Sequence, residues 1–220
     1  MEAGRAERQE SEDKMRMNTG KNALLPVVEC FYSLQGEGAH AGWPAFFIRL
    51  AGCRNACSFC DTKESWSEEG YPRLSPEELA KKVLASGAKA CVLTGGEPLL
   101  HDLTALCRCL KDAGIDLWLE TSGSEPLSGQ WDWVCLSPKK GIPVDGSCYA
   151  AASELKVVVE SPADFVFAEE QAGKVGAHCL CYLQSEWSVS SDMLPGILSY
   201  IMRYPGWKLS LQQHKILNVR

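Results

Sequence analysis

The chain has 220 residues, of which 45% are apolar, and it carries a net charge of −6 at pH 7. This length and composition predict one domain with a full hydrophobic core. The acidic balance argues against a dedicated nucleic-acid surface, because such a surface needs clustered Lys and Arg to neutralise phosphates. We therefore expect the chain to act on a small molecule.

Residues 1–22 are predicted to be a disordered N-terminal leader. They combine five acids and five bases with almost no large apolar side chains, so they cannot offset the entropy of ordering. The leader lacks the apolar core of a secretion signal, and its acids disfavour a mitochondrial transit peptide. No later segment has the roughly 18 uninterrupted apolar residues that a membrane span needs.

The eleven cysteines are an odd number in a chain without a recognisable signal peptide. This combination indicates a reducing compartment with free or metal-bound thiols. We therefore expect a cytoplasmic protein with no membrane or nucleic-acid partner, and residues 23–220 as its single domain.

Strand and helix patterns alternate along this domain. Strands are predicted over 27–34, 45–52, 89–96, 115–123, 131–139, 154–160 and 178–184, with a last extended run over 207–215. Helices are predicted over 75–86, 102–113, 162–172 and 191–203. The first helix has Ser75 as N-cap, Pro76 at the first helical position and Glu78 three residues after the cap, which indicates a capping box.

Strands separated by helices predict an α/β fold with a mostly parallel sheet, open or closed into a partial βα barrel. Five predicted strands run into polar or glycine-rich motifs, which read GCRNACSFCDT, TGGEP, ETSG, SPKK and LQSEW. Ligand sites in parallel α/β folds lie at the carboxyl ends of the strands. The five motifs are therefore expected to converge on one active site.

The first motif spaces three cysteines as Cys-x3-Cys-x2-Cys, at Cys53, Cys57 and Cys60. Structural zinc is one interpretation, but zinc needs four ligands, and a fourth ligand at His40 would have no finger or ribbon spacing. A redox-active thiol pair would not need Cys53. Three thiolates can also hold a four-iron cluster and leave one iron open to another ligand.

The cysteine motif, with Phe59 before its last cysteine and TGGEP at 94–98 after the next strand, resembles the radical S-adenosylmethionine (SAM) superfamily. The resemblance implies a partial barrel and a catalytic [4Fe-4S] cluster on the three cysteines, whose open iron chelates SAM. Reduction of SAM would then release a 5′-deoxyadenosyl radical. Residues 23–220 would form the radical SAM domain.

Within that superfamily, FYSLQGEGAHAGWPAFFIRLAGC, CDT and SLQQHKILNVR resemble the 7-carboxy-7-deazaguanine synthase family, over residues 27–220. The resemblance implies hydrogen abstraction from C6 of 6-carboxy-5,6,7,8-tetrahydropterin, radical ring contraction, loss of ammonia and regeneration of SAM, in queuosine and 7-deazapurine biosynthesis. It also implies a homodimer and a one-electron donor such as a flavodoxin.

The resemblance assigns residues to three groups. Cofactor contacts are implied for Phe59, Gly95, Gly96, Glu97, Thr121, Ser137, Pro138, Lys139, Gln184, Ser185, Glu186 and Trp187. Substrate contacts are implied for Leu34, Gln35, Gly36, Glu37, Arg49, Thr94 and Arg220. Thr62 in CDT would bind Mg²⁺, which prefers hard oxygen ligands.

Four of these assignments carry a specific role. Glu97 would add charge beside the ammonium group of SAM. The Arg49 guanidinium would bind a substrate carboxylate through two parallel hydrogen bonds. Arg220 would reach the substrate pocket through its carboxylate. Phe59 would contact the adenine.

Two other functions stay open from the sequence. A glycyl-radical-enzyme activase shares the cysteine spacing but acts on a protein substrate. A zinc-stabilised binding module would have no catalytic activity. Colour distinguishes it, because a zinc protein is colourless and an iron-sulfur protein is brown.

Overall fold

The computed structural model describes residues 24–220, so the predicted leader lies outside the described residues. Within this range the sheet is built from nine strands, β1 to β9 in chain order. They are Leu25–Leu34, Pro44–Leu50, Arg73–Leu74, Ala90–Gly95, Asp116–Thr121, Trp133–Leu136, Glu154–Val159, Leu180–Ser185 and Trp207–Ser210. None of the helices in this part of the chain is long and apolar enough to cross a membrane.

All nine strands form one sheet in the order β3-β1-β2-β4-β5-β6-β7-β8-β9. From β2 to β9 along this order every pairing is parallel, whereas β1 pairs antiparallel with both β2 and β3. The sheet does not close on itself, because β3 and β9 remain its two edges. The predicted mostly parallel, incomplete βα barrel is therefore confirmed.

Six α-helices are described, α1 to α6 in chain order. They are Pro76–Ser86, Thr104–Asp112, Gly146–Ala151, Asp164–Ala172, Ser190–Arg203 and Gln213–Leu217. Short 3₁₀ helices cover Gly38–His40, Lys63–Trp66 and Pro98–Leu100. The capping box of α1 is confirmed, since Ser75 Oγ accepts from the Glu78 amide at 3.2 Å and Glu78 accepts from the Ser75 amide at 2.8 Å.

The four predicted helices and first seven predicted strands agree with the structure to within three residues. The last predicted element was only partly right. The strand that begins at Trp207 ends at Ser210, and residues that were predicted as extended form α6 instead. The short helix α3 was not predicted.

The two faces of the sheet differ in chemistry because side chains alternate along each strand. On β7, Leu155 and Val157 pack in the main hydrophobic core under the helices, while Lys156 between them points to the inner face. On β5, Leu117 and Leu119 join that core, while Glu120 lines the inner face. The concave face of the partial barrel therefore carries buried charges, next to a smaller apolar cluster that includes Phe47 and Val92.

The closing segment, residues 211–220, connects the two sides of the open sheet. It follows β9 at one edge and runs back to β1 near the other. The Gln213 amide donates to the Gly36 carbonyl at 2.9 Å, and Ser33 Oγ donates to the Arg220 carbonyl at 2.5 Å. The gap in the barrel is thus covered by this segment.

Candidate active site

A cavity of about 290 Å³ opens on the concave face, at the carboxyl ends of the parallel strands. Most residues that the sequence singled out line it. They are Leu34, Gln35, Gly36, Glu37, Arg49, Cys53, Cys57, Phe59, Cys60, Thr62, Thr94, Gly95, Gly96, Thr121, Ser137, Lys139, Gln184, Ser185, Glu186, Trp187 and Arg220. The expected convergence of five strand ends on one site is confirmed.

Two predicted cofactor contacts do not line the cavity. Pro138 is buried beside it. Glu97 is 1% exposed, and its carboxylate accepts hydrogen bonds from Thr121 Oγ1 at 2.6 Å and from the Ser122 and Leu99 amides at 2.9 and 3.1 Å. The role of Glu97 beside the ammonium group of SAM stays a prediction, and in this structure its carboxylate is bound by these protein groups.

Backbone contacts fold the cysteine loop over one end of the cavity. The Gly52 amide donates to the Ser65 carbonyl at 2.7 Å, and the Cys53 amide donates to the Trp66 carbonyl at 3.0 Å. The indole Nε1 of Trp66 donates to Cys60 Sγ at 3.3 Å. Each of the three cysteines is a free thiol, is partly buried and faces the same cavity.

These thiols suit a multi-iron cluster better than one metal ion. Within residues 24–220, no group of three or more His, Cys, Asp or Glu is arranged to hold a single ion. In a four-iron cluster each thiolate binds a different iron, so the thiols need not surround one point. His40 is no fourth ligand, since its ring stacks on Trp118 at 4.0 Å and lies outside the cavity.

The glycines of TGGEP are required where β4 passes close to the cysteine loop. A Cβ on Gly95 would lie 2.1 Å from the Leu50 carbonyl oxygen, and one on Gly96 would lie 2.3 Å from that of Gly52. Gly95 also has φ of +146°, which only glycine adopts without strain. The pair thus lets two backbones meet at the wall of the cavity.

Lys139 faces the cysteine loop from the other side. Its Nζ lies 6.0 Å from the centre of the Phe59 ring and donates to Ser137 Oγ at 2.7 Å. Burial lowers the pKa of Lys139, and the nearby Lys156 ammonium lowers it further. An anionic group of a ligand would stabilise the charged form of this lysine.

A second cationic region lies on β1 and β2. Arg49 Nε donates to Glu29 Oε1 at 2.9 Å, and Arg220 also pairs with Glu29. The Arg220 guanidinium stands 5.1 Å from the centre of the Phe31 ring. Because Arg49 uses only Nε here, its two terminal nitrogens are available for a carboxylate.

Buried charges form the floor of the cavity. Lys156 Nζ donates to Glu37 Oε2 at 2.6 Å and to Glu120 Oε2 at 2.9 Å, and the lysine side chain is 5% exposed. Burial alone would raise the pKa of Glu37, but Lys156 and Gln212 lower it to about 2. Glu37 is therefore ionised at neutral pH.

Thr62 lies where the cysteine loop meets the closing segment. Its Oγ1 is 3.7 Å from Cys60 Sγ, and its neighbour Asp61 pairs with Lys215 at 2.9 Å. Lys215 Nζ also stands 5.3 Å from the centre of the Trp187 ring. The hydroxyl of Thr62 and the carboxylate of Asp61 are hard oxygen donors of the kind that Mg²⁺ accepts.

Sequence reasoning missed several residues that line the cavity. They are Phe31, Phe47, Asn55, Asp61, Trp66, Val92, Glu120, Ser122, Lys156, Val158, Gln212, His214 and Lys215. For two of them the sequence contained a signal, because Lys156 lies between Leu155 and Val157 and Glu120 directly follows the apolar run 117–119. A buried charge needs a partner, so each could have been assigned to the polar face.

Comparison with known proteins decides the family. The model of the radical SAM superfamily matches residues 47–136. A 7-carboxy-7-deazaguanine synthase from Flavobacterium psychrophilum is 46% identical over 200 residues, covering 90% of this chain and 94% of that protein. The chain belongs to the 7-carboxy-7-deazaguanine synthase family.

Further relatives agree with this membership. The synthase from Synechocystis is 47% identical over 195 residues, covering 89% of this chain and 93% of that protein. The crystal structure of QueE from Escherichia coli has a TM-score of 0.80 at 30% identity, covering 87% of this chain and 95% of that one. As a radical SAM synthase the chain is an enzyme that uses a [4Fe-4S] cluster and SAM.

Proposed function

We propose that this enzyme converts 6-carboxy-5,6,7,8-tetrahydropterin into 7-carboxy-7-deazaguanine, with ring contraction and loss of ammonia, in queuosine or 7-deazapurine biosynthesis. The observation that carries the proposal is the shared cavity, in which the three cysteines meet a paired carboxylate floor and the cationic Arg49. The names of the family members support the product.

The cofactor half of the cavity would be held by the cysteine loop and the facing strand ends. Cys53, Cys57 and Cys60 would hold the cluster, and Phe59 and Lys139 would flank the bound SAM. When bound, the cluster and SAM supply the one-electron chemistry that starts hydrogen abstraction. Glu97 acts indirectly, because it fixes Thr121 and Ser122 at the cavity wall.

The substrate half would orient the pterin between β1 and β7. The terminal nitrogens of Arg49 would bind the 6-carboxylate, since a guanidinium and a carboxylate match in shape and charge. The N–H-rich pyrimidine half would then face the carboxylates of Glu37 and Glu120. The closing segment would keep water out of the cavity while the substrate reacts.

Mg²⁺ is part of this proposal, with Thr62 as its protein ligand beside the substrate. Hard oxygen donors at the site support it. A homodimer, a flavodoxin-like or other one-electron donor and a cytoplasmic location are proposed with it. No nucleic-acid or membrane partner is proposed.

The alternative functions receive less support. A glycyl-radical-enzyme activase must admit a loop of another protein, whereas the closing segment covers the open side of this barrel. Zinc binding by the three cysteines and His40 is contradicted by the position of His40, which stacks on Trp118.

The decisive experiment is anaerobic reconstitution with iron and sulfide, followed by SAM, reductant, Mg²⁺ and the tetrahydropterin. We expect 7-carboxy-7-deazaguanine by mass spectrometry. Formation of 5′-deoxyadenosine without the deazaguanine would support the radical SAM chemistry but contradict the proposed substrate.

A further inference from the structure

Lys156 is the most deeply buried cation of the cavity that the roles above leave unused. Its ammonium bridges Glu37 on the loop after β1 and Glu120 on β5, at 2.6 and 2.9 Å. An ammonium has three N–H donors, and these two carboxylates use two of them. Within residues 24–220 the third has no hydrogen-bond partner, and the side chain lines the cavity.

Each carboxylate is held in place from its other oxygen. Gln212 Nε2 donates to Glu37 Oε1 at 2.9 Å, and Gln35 Nε2 donates to Glu120 Oε1 at 3.1 Å. A carboxylate oxygen has two lone pairs, so each still has room to accept from a ligand. The floor therefore presents one donor between two acceptors in fixed positions.

This order of donor and acceptors matches one edge of a pterin. In the tetrahydropterin the 4-oxo group is an acceptor that lies between two donors, N3–H and N5–H. We propose that Lys156 is a specificity-determining residue, whose free N–H donates to the 4-oxo group while Glu37 and Glu120 accept from the adjacent N–H groups. This inference rests on the proposed function.

The pyrimidine edge is unchanged between the tetrahydropterin and the deazaguanine product. A contact to it has the same strength in the ground state and in the transition state, so it lowers KM and leaves kcat alone. Loss of Lys156 is therefore expected to raise the KM for the pterin with little change in kcat.

A pair of stable ligands tests the contact without turnover. 6-Carboxypterin has the 4-oxo group, whereas 2,4-diaminopteridine-6-carboxylate presents a donor there and loses the N3 proton. Binding to the reconstituted enzyme with SAM but no reductant would be followed by pteridine fluorescence. We expect the wild type to prefer 6-carboxypterin by roughly tenfold to a hundredfold, as for a hydrogen bond to a charged group.

Two variants attribute that preference to Lys156. In Lys156→Met the donor is gone, and in Lys156→Gln an amide can turn either its N–H or its oxygen to the ligand, so in both the ratio should fall towards one. Lys81→Met is the matched control, because Lys81 is exposed on α1 and away from the cavity. It should keep the wild-type ratio.

Several results would overturn the inference. One is a wild type that binds both ligands equally well. The inference is also overturned if either Lys156 variant keeps the wild-type ratio of ligand affinities while its cluster absorption and circular dichroism are normal. Lys156→Met leaves two carboxylates unpaired and could fail to fold for that reason. In that case the ratio of the two ligand affinities in Lys156→Gln and in the wild type still tests the inference. If the wild type neither binds 6-carboxypterin nor forms product, the proposed function fails instead.

Discussion

Cys57 is distinguished from most other cysteines by its place in the cavity wall. We expect Cys57→Ala to lose the visible absorption of the reconstituted cluster and all turnover, because two thiolates remain of three. Cys109→Ala is a suitable control, since Cys109 lies on α2 and packs against the main core. Normal iron content in the Cys57 variant would show that this thiol is not a ligand.

Thr62 offers a separate test of the metal site. Replacing it with Ala removes one hard oxygen from the loop beside the cavity, so the dependence of turnover on Mg²⁺ should weaken. The measurement is a Mg²⁺ titration at saturating SAM, with Thr104→Ala on α2 as control. An unchanged titration curve would remove Thr62 from the magnesium site.

His40 should make the stability of the fold depend on pH. Burial lowers its pKa below 6.5, against the opposing effect of Glu120 and Asp116. The folded state therefore favours neutral His40, which adds stability above pH 6.5 that is lost as the pH falls below that value.

The variant His40→Phe keeps an aromatic ring against Trp118 but cannot titrate. Between pH 7.5 and 5.5, its melting temperature should fall less than that of the wild type. Parallel melting curves for the two proteins would contradict the assignment of this pH dependence to His40.

At the scale of elements, the contact between Gly36 and α6 fixes the closing segment. A Cβ on Gly36 would lie 2.3 Å from His214 Nδ1 and 2.8 Å from His214 Cβ, so Gly36→Ala must displace the helix. We expect kcat/KM to fall by about tenfold to a hundredfold, because cavity residues on α6 move. Gly206→Ala, where a Cβ meets nothing within 4 Å, is the control, and equal activity of the two variants would contradict the prediction.

Local signals explain which elements the sequence could predict. The α1 capping box lies within four residues, so Ser75 and Glu78 show it directly. The helix α6 is held by partners near Gly36, and Gln212 and Glu37 are 175 residues apart. A local pattern cannot contain such a contact, which is why this stretch was predicted as extended.

The same reasoning separates the site residues that were predicted from those that were not. The cysteine motif and TGGEP could be predicted because the residues of each motif are close together in the sequence. Glu120 and Lys156 meet only because β5, β6 and β7 are neighbours in the sheet. The hydrogen bonds of Glu97 to Thr121 and Ser122, at the end of the next strand, were likewise not visible in a local pattern.

For the whole molecule, the proposed homodimer predicts a mass in solution of twice the 24.1 kDa of one chain. Sedimentation equilibrium of the reconstituted enzyme at several concentrations measures it. A species of one chain's mass throughout would contradict the proposed dimer.

The closing segment also sets the order in which the cavity can assemble during synthesis. Ser33 and Glu29 on the first strand contact a residue 187 and 191 positions further along the chain. A ribosome delivers the N-terminal strands first, and contacts this distant in sequence form late. The first strand can pair early with β2, but its contacts with Arg220 form only after the last ten residues emerge, and until then this side of the cavity stays open.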